Sequence, residues 1–80
     1  MSKAQELIDS IESNKDQKLL GITQNQFGEQ FVVFTDTKHP RKHLVSGSEL
    51  DWEVAIYENN RLWFSDVERQ NIDQVIQDNK

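Results

Sequence analysis

Two helix-start signatures bracket this 80-residue chain and divide it into helical ends and a β-rich middle. Ser2-Lys3-Ala4-Gln5 and Ser65-Asp66-Val67-Glu68 both have the form of a capping box. In such a box the serine hydroxyl accepts from the amide three residues on, and the Gln or Glu side chain reaches back to the serine amide. After the first box, Ala4, Leu7, Ile8 and Ile11 recur on one helical face; after the second, Val67, Ile72, Val75 and Ile76 form a narrower stripe. The spacing predicts helices over about 2–14 and about 66–78. Asn14 is expected to end the first in a left-handed conformation.

Between these helices the apolar pattern changes period. Lys18 to Thr23 and Gln30 to Thr35 read as a hairpin over about 18–35, with Asn25 and Gly28 available for the turn. Phe31-Val32-Val33-Phe34 is apolar on both faces, which marks an inner strand. Residues 36–50 carry the only proline, Pro40, and read as an irregular basic linker. A second hairpin is expected over about 51–65, turning at Asn59-Asn60 with positive φ. Its register would set Glu58 against Arg61, Tyr57 against Leu62, Ile56 against Trp63 and Ala55 against Phe64. The expected fold is therefore one small α+β domain over 1–80 with the order α-β-β-β-β-α. It has a four-stranded antiparallel sheet with the terminal helices packed on it. Those helices either cover opposite faces of the sheet or leave one face to a partner.

Composition narrows the function classes. There is no cysteine, which excludes disulfide frameworks, thiolate catalysis and cysteine-ligated zinc. No apolar run reaches the roughly 18–20 residues of a membrane span, and the polar first residues show no signal peptide, so a cytoplasmic protein is expected. The net charge is −5 and unevenly placed. Residues 1–43 balance six Lys/Arg with six Asp/Glu, whereas residues 44–80 set three Lys/Arg against eight Asp/Glu. That half repels phosphate backbones and suits a basic protein partner.

Each candidate chemistry has a simpler explanation. Lys38, Arg41 and Lys42, with His39 and His43, could contact phosphate, but three cations provide little affinity at physiological salt. His39 and His43 have a metal-ligand spacing on a helix, but Pro40 perturbs that turn and no glutamate of the helical zinc motif is present. Ser46, Ser48, His43 and Asp51 are close in sequence, yet a triad is a matter of spatial geometry and turn chemistry accounts for them. Trp52, Tyr57, Trp63 and Phe64 lack the interleaved Lys/Arg of a base-stacking platform and are expected in the core. No catalytic, metal or cofactor site is expected.

What remains is a non-enzymatic acidic interaction module, an inhibitor, immunity protein or regulator docking on a basic surface. Glu53, Glu58, Asp66, Glu68 and Asp73 would form the acidic face. The alternative is a nucleic-acid-associated module using the basic segment 38–43. The third is a self-assembling structural subunit, with a homodimer as its simplest form.

Overall fold

The computed structural model describes residues 3–47 and 54–79, with backbone alone for Lys3, Ala4, His39, Arg41 and Val54–Ile56. The element order is α1 (Lys3–Ser13), β1 (Gln17–Gln24), β2 (Gln30–Asp36), β3 (His39–Ser46), β4 (Val54–Ile56), α2 (Tyr57–Asn60), a 3₁₀ turn (Arg61–Trp63) and α3 (Asp66–Asp78). Three long antiparallel strands carry the sheet, in the order β1-β2-β3, and the three residues of β4 extend it along the end of β3.

β2 organises the rest. All four residues of Phe31-Val32-Val33-Phe34 are buried. Strand alternation sends Phe31 and Val33 to one face and Val32 and Phe34 to the other. On the first face they join Val45, Tyr57 and Ile72, with Leu20, Phe64, Val75 and Ile76 packed around them. On the second they join Ile11 and Leu44, with Leu7, Ile8 and Leu19. The helices thus cover opposite faces, α1 on one and α3 on the other, and the sheet is the middle of three layers.

The helix ends follow local chemistry. Ser65 Oγ accepts from the Glu68 amide (3.3 Å) and Glu68 Oε1 accepts from the Ser65 amide (2.9 Å), so the second capping box forms as its spacing predicts. The first box rests on Ser2, which lies outside the described residues. Asn14 does end α1, but with negative φ; no described non-glycine residue has positive φ. Its side chain instead accepts the Asp16 amide at 2.9 Å, closing an Asx turn that leads into β1.

Two expectations are overturned. The segment 36–50 is not an irregular linker, because His39–Ser46 is a full strand beside β2. Asp36 pairs with His39 across a two-residue turn, and Asp36 Oδ1 accepts the Lys38 amide at 2.8 Å. The next pair is Thr35 with His43, so Pro40, Arg41 and Lys42 bulge from β3 with no partner on β2. A bulge is where a sheet accepts a residue with no N–H.

The second hairpin does not form either, and with it falls the order α-β-β-β-β-α with four full strands. Its first strand already ends at Ile56, the stretch from Tyr57 to Trp63 is helical, and Asn59-Asn60 is not a hairpin turn. The reason is burial. A helical turn at Tyr57 swings the ring under α3, where it is 2% exposed. Phe64 then packs edge-on to Phe31 (5.9 Å between ring centroids) and tilted on Tyr57 (5.5 Å). Cross-strand pairs of the expected hairpin are each worth only about 0.2–1 kcal/mol. Full burial of a large side chain such as Tyr57 contributes about 1.5–3 kcal/mol, more than any one of those pairs, and the partly buried Phe64 adds to it.

The approach of α3 depends on Gly21. A β-bulge at Leu20 turns Leu20 and Gly21 toward α3, and a Cβ on Gly21 would sit 2.9 Å from Val75 Cγ1. Gly21→Ala is therefore expected to destabilise the fold by about 1–3 kcal/mol in urea unfolding. Combining it with Val75→Ala should cost less than the two single variants together. Additive losses would show that α3 does not rest on this residue.

Candidate functional site

The expected acidic residues divide by what they touch. Glu53 lies outside the described residues. Asp73 projects from the middle of α3 and accepts from two groups: Tyr57 Oη at 2.9 Å on Oδ1, and the Arg61 guanidinium on Oδ2. Arg61 also lies over the Tyr57 ring, 5.5 Å from its centroid. Carboxylate, phenol and guanidinium together tie α2 and the 3₁₀ turn to α3.

Glu68 is also bound to its own fold. Besides closing the capping box, its Oε2 accepts from Asn25 Nδ2 at 3.1 Å. Asn25 is the hub of the β1–β2 turn, where its Oδ1 accepts the amides of Phe27 (2.9 Å) and Glu29 (3.0 Å), and Gly28 takes φ 81°. Asn71 Nδ2 donates to the Gln24 carbonyl at 3.0 Å, pinning the same turn to α3 a second time. Asp66 pairs with Arg69 one turn on, but its side chain stays 85% exposed. Glu58 on α2 is 47% exposed and stands 3.7 Å from His43 Nδ1. The structure therefore leaves Glu58 and Asp66 facing outward at the two ends of the segment 58–66, while Glu68 and Asp73 hold the fold together.

Among the described residues, two side chains are held away from their ordinary pKa values. Burial, reinforced by the hydrogen bond and negative charge of Asp73, pushes the Tyr57 phenol up to about 12; Arg61 and Arg69 oppose this only in part. At Glu68 burial works to raise the value, but the hydrogen bonds from the Ser65 amide, Asn25 and the Ser65 hydroxyl outweigh it and hold the carboxyl below the usual range. Both shifts move away from neutrality, opposite to what a general acid or base requires.

The basic residues do not assemble as one group. Lys38 is exposed in the β2–β3 turn, Lys42 is half-buried in the bulge, and only the backbone of Arg41 is described. No three His, Asp or Glu side chains among the described residues converge as metal ligands. An open depression of about 490 Å³ runs along α3 beside Gln70, Asp73, Gln74 and Gln77. No helix among the described residues is long and apolar enough to cross a membrane.

The site residues that pattern reading missed are apolar. Leu62 and Trp63, assigned to a strand of the second hairpin, are 87% and 72% exposed on the 3₁₀ turn, directly between Glu58 and Asp66. Phe27, expected to add to the core like the other phenylalanines, is instead 78% exposed in the β1–β2 turn. No sequence pattern distinguishes these from core aromatics; only the folded position of Tyr57 and Phe64 does.

Comparison with protein-family models, curated proteins and solved structures gave no match.

Because the chain has a single tyrosine, near-ultraviolet absorbance reads Tyr57 directly. The phenol should titrate near 12, and Asp73→Asn should lower the midpoint while burial, the larger cause, keeps it above 10.0. A raised value in the folded state means that this contribution to stability is whole below the unfolded value of 10.0 and is lost as pH rises toward 12. A wild-type midpoint near 10 would show that Tyr57 is neither buried nor bonded to Asp73 in solution.

Proposed function

We propose that this protein is a non-catalytic interaction module, an inhibitor or regulator that docks on a basic surface of a partner protein. The carrying observation is the outward pair Glu58 and Asp66, which flank an exposed segment on the acidic half of a chain of net charge −5. Their surface pairs, Asp66 with Arg69 and Glu58 with His43, are solvent-exposed on the carboxylate side, so both can also meet incoming Lys or Arg, steering encounter and fixing orientation. Glu68 and Asp73 contribute to the field but are committed to the cap and to Tyr57. The shifts at Tyr57 and Glu68 support a non-enzymatic reading, since neither group is poised to exchange a proton near neutral pH.

The test is affinity capture from a nuclease-treated lysate, comparing the wild type with Glu58→Lys/Asp66→Lys at low and moderate salt. Both positions are exposed, so circular dichroism should show an intact fold. A basic protein held by the wild type, fading with salt and lost in the double variant, is the expected result. Equal capture by both proteins overturns the reading. Recovery of nucleic acid that is lost on nuclease treatment moves the function to Lys38, Arg41 and Lys42. Recovery of the chain alone makes it a self-assembling subunit.

A further inference from the structure

We propose that the Leu62–Trp63 turn, with Phe27 and Val67 beside it, is the apolar anchor of that docking surface. Its occupant is an amphipathic segment of the partner that carries an apolar stripe edged by Lys or Arg. This rests on the docking reading and specifies what docks.

A short chain of hydrogen bonds links the segment that carries Leu62, Trp63 and Val67 to the β1–β2 turn that carries Phe27. Trp63 lies two residues before the N-cap Ser65, whose capping box closes on Glu68. Glu68 accepts from Asn25 at 3.1 Å, and Asn25 accepts the amide of Phe27 at 2.9 Å. Val67 is the residue next to Glu68, within the first turn of α3, and is 44% exposed. With aromatic side chains spanning about 150–250 Å² each, the four expose roughly 500 Å² in all. Even taken together that is below the roughly 800 Å² that each partner gives to a standard interface. The area suits a single segment laid across the turn better than a broad globular face. Trp is also among the residue types enriched at binding hot spots.

Charge selects the occupant. Glu58 and Asp66 stand at the two ends of the turn, and Glu29 is exposed beside Phe27. Arg61 and Arg69 pair with Asp73 and Asp66, and over 58–73 the four carboxylates Glu58, Asp66, Glu68 and Asp73 still outnumber these two cations. A second copy would lay this acidic rim against itself in a chain of net charge −5. A Lys- or Arg-edged apolar stripe complements both rim and centre.

The test uses the full chain, isotope-labelled for NMR, and two synthetic helical peptides, one of Leu and Lys and one with Glu in place of every Lys. The Leu/Lys peptide should shift the amides of Phe27, Leu62, Trp63 and Val67, bind more weakly as salt rises, and lose about tenfold or more in affinity for Leu62→Ser/Trp63→Ser. The Leu/Glu peptide should not bind. Equal binding of the Leu/Lys peptide to the double variant, or shifts confined to another face, overturns the proposal. So does a concentration-dependent dimer in sedimentation that the double variant abolishes, because the occupant is then a second copy. In the capture experiment, dependence on Glu58 and Asp66 without dependence on Leu62 and Trp63 removes the anchor and leaves the docking reading standing. Dependence on neither removes both.

Discussion

The burial of β2 on both faces is the constraint on which the structure depends. A strand reading Phe31-Val32-Val33-Phe34 has no polar side to turn to water, so it needs cover above and below. Neighbouring strands shield its edges, and α1 and α3 shield its faces. In so short a chain this gives three layers, each only one element deep. A domain of this size buries only about 60–65% of its unfolded surface, so every large apolar side chain near the sheet is in demand as cover. That demand takes Tyr57 and Phe64 out of a hairpin and into the layer under α3.

Local and tertiary terms decide which parts of the fold were legible in the sequence. The bounds of α3 are readable because its capping box and dipole-favourable first turn lie within four residues of one another. The first hairpin is readable because an apolar run and a turn with Asn and Gly adjoin. β3 is not, because Pro40 and its basic neighbours hide it, and only the bulge that expels them from the ladder reconciles them with a strand. The second hairpin is the opposite case, a sequence with good cross-strand pairs at every position. Those pairs were real local options, but they lost to contacts that join residues far apart, Phe31 to Phe64 and Tyr57 to Asp73.

The candidate site shows the same division. Counting charges located the acidic half of the chain but not how its carboxylates are used. Asp73 and Glu68 look like Glu58 and Asp66 in a sequence, yet one bridges a phenol and a guanidinium and another joins a helix cap to a distant turn. Such commitments depend on Asn25 and Tyr57, 43 and 16 residues from their acceptors. No short-range pattern carries them.

The exposure of Leu62 and Trp63 follows from the geometry of the connection. The chain must pass from Tyr57, buried against α3, to Phe64, packed on the same core, within seven residues and then start a helix at Asp66. A single 3₁₀ turn does this, and with three residues per turn it aligns Arg61 with Phe64, the residues linked by the Phe64 amide and Arg61 carbonyl at 3.3 Å. The two residues between them are left on the outer side, whatever their chemistry. Polar residues there would satisfy the fold at no cost in burial. Leu and Trp are therefore unexplained by folding, as is Phe27 at the tip of a turn whose geometry needs only Asn25 and Gly28. Three large apolar groups held outward by a hydrogen-bonded frame, beside the exposed carboxylates Glu58 and Asp66, form a surface suited to recognition.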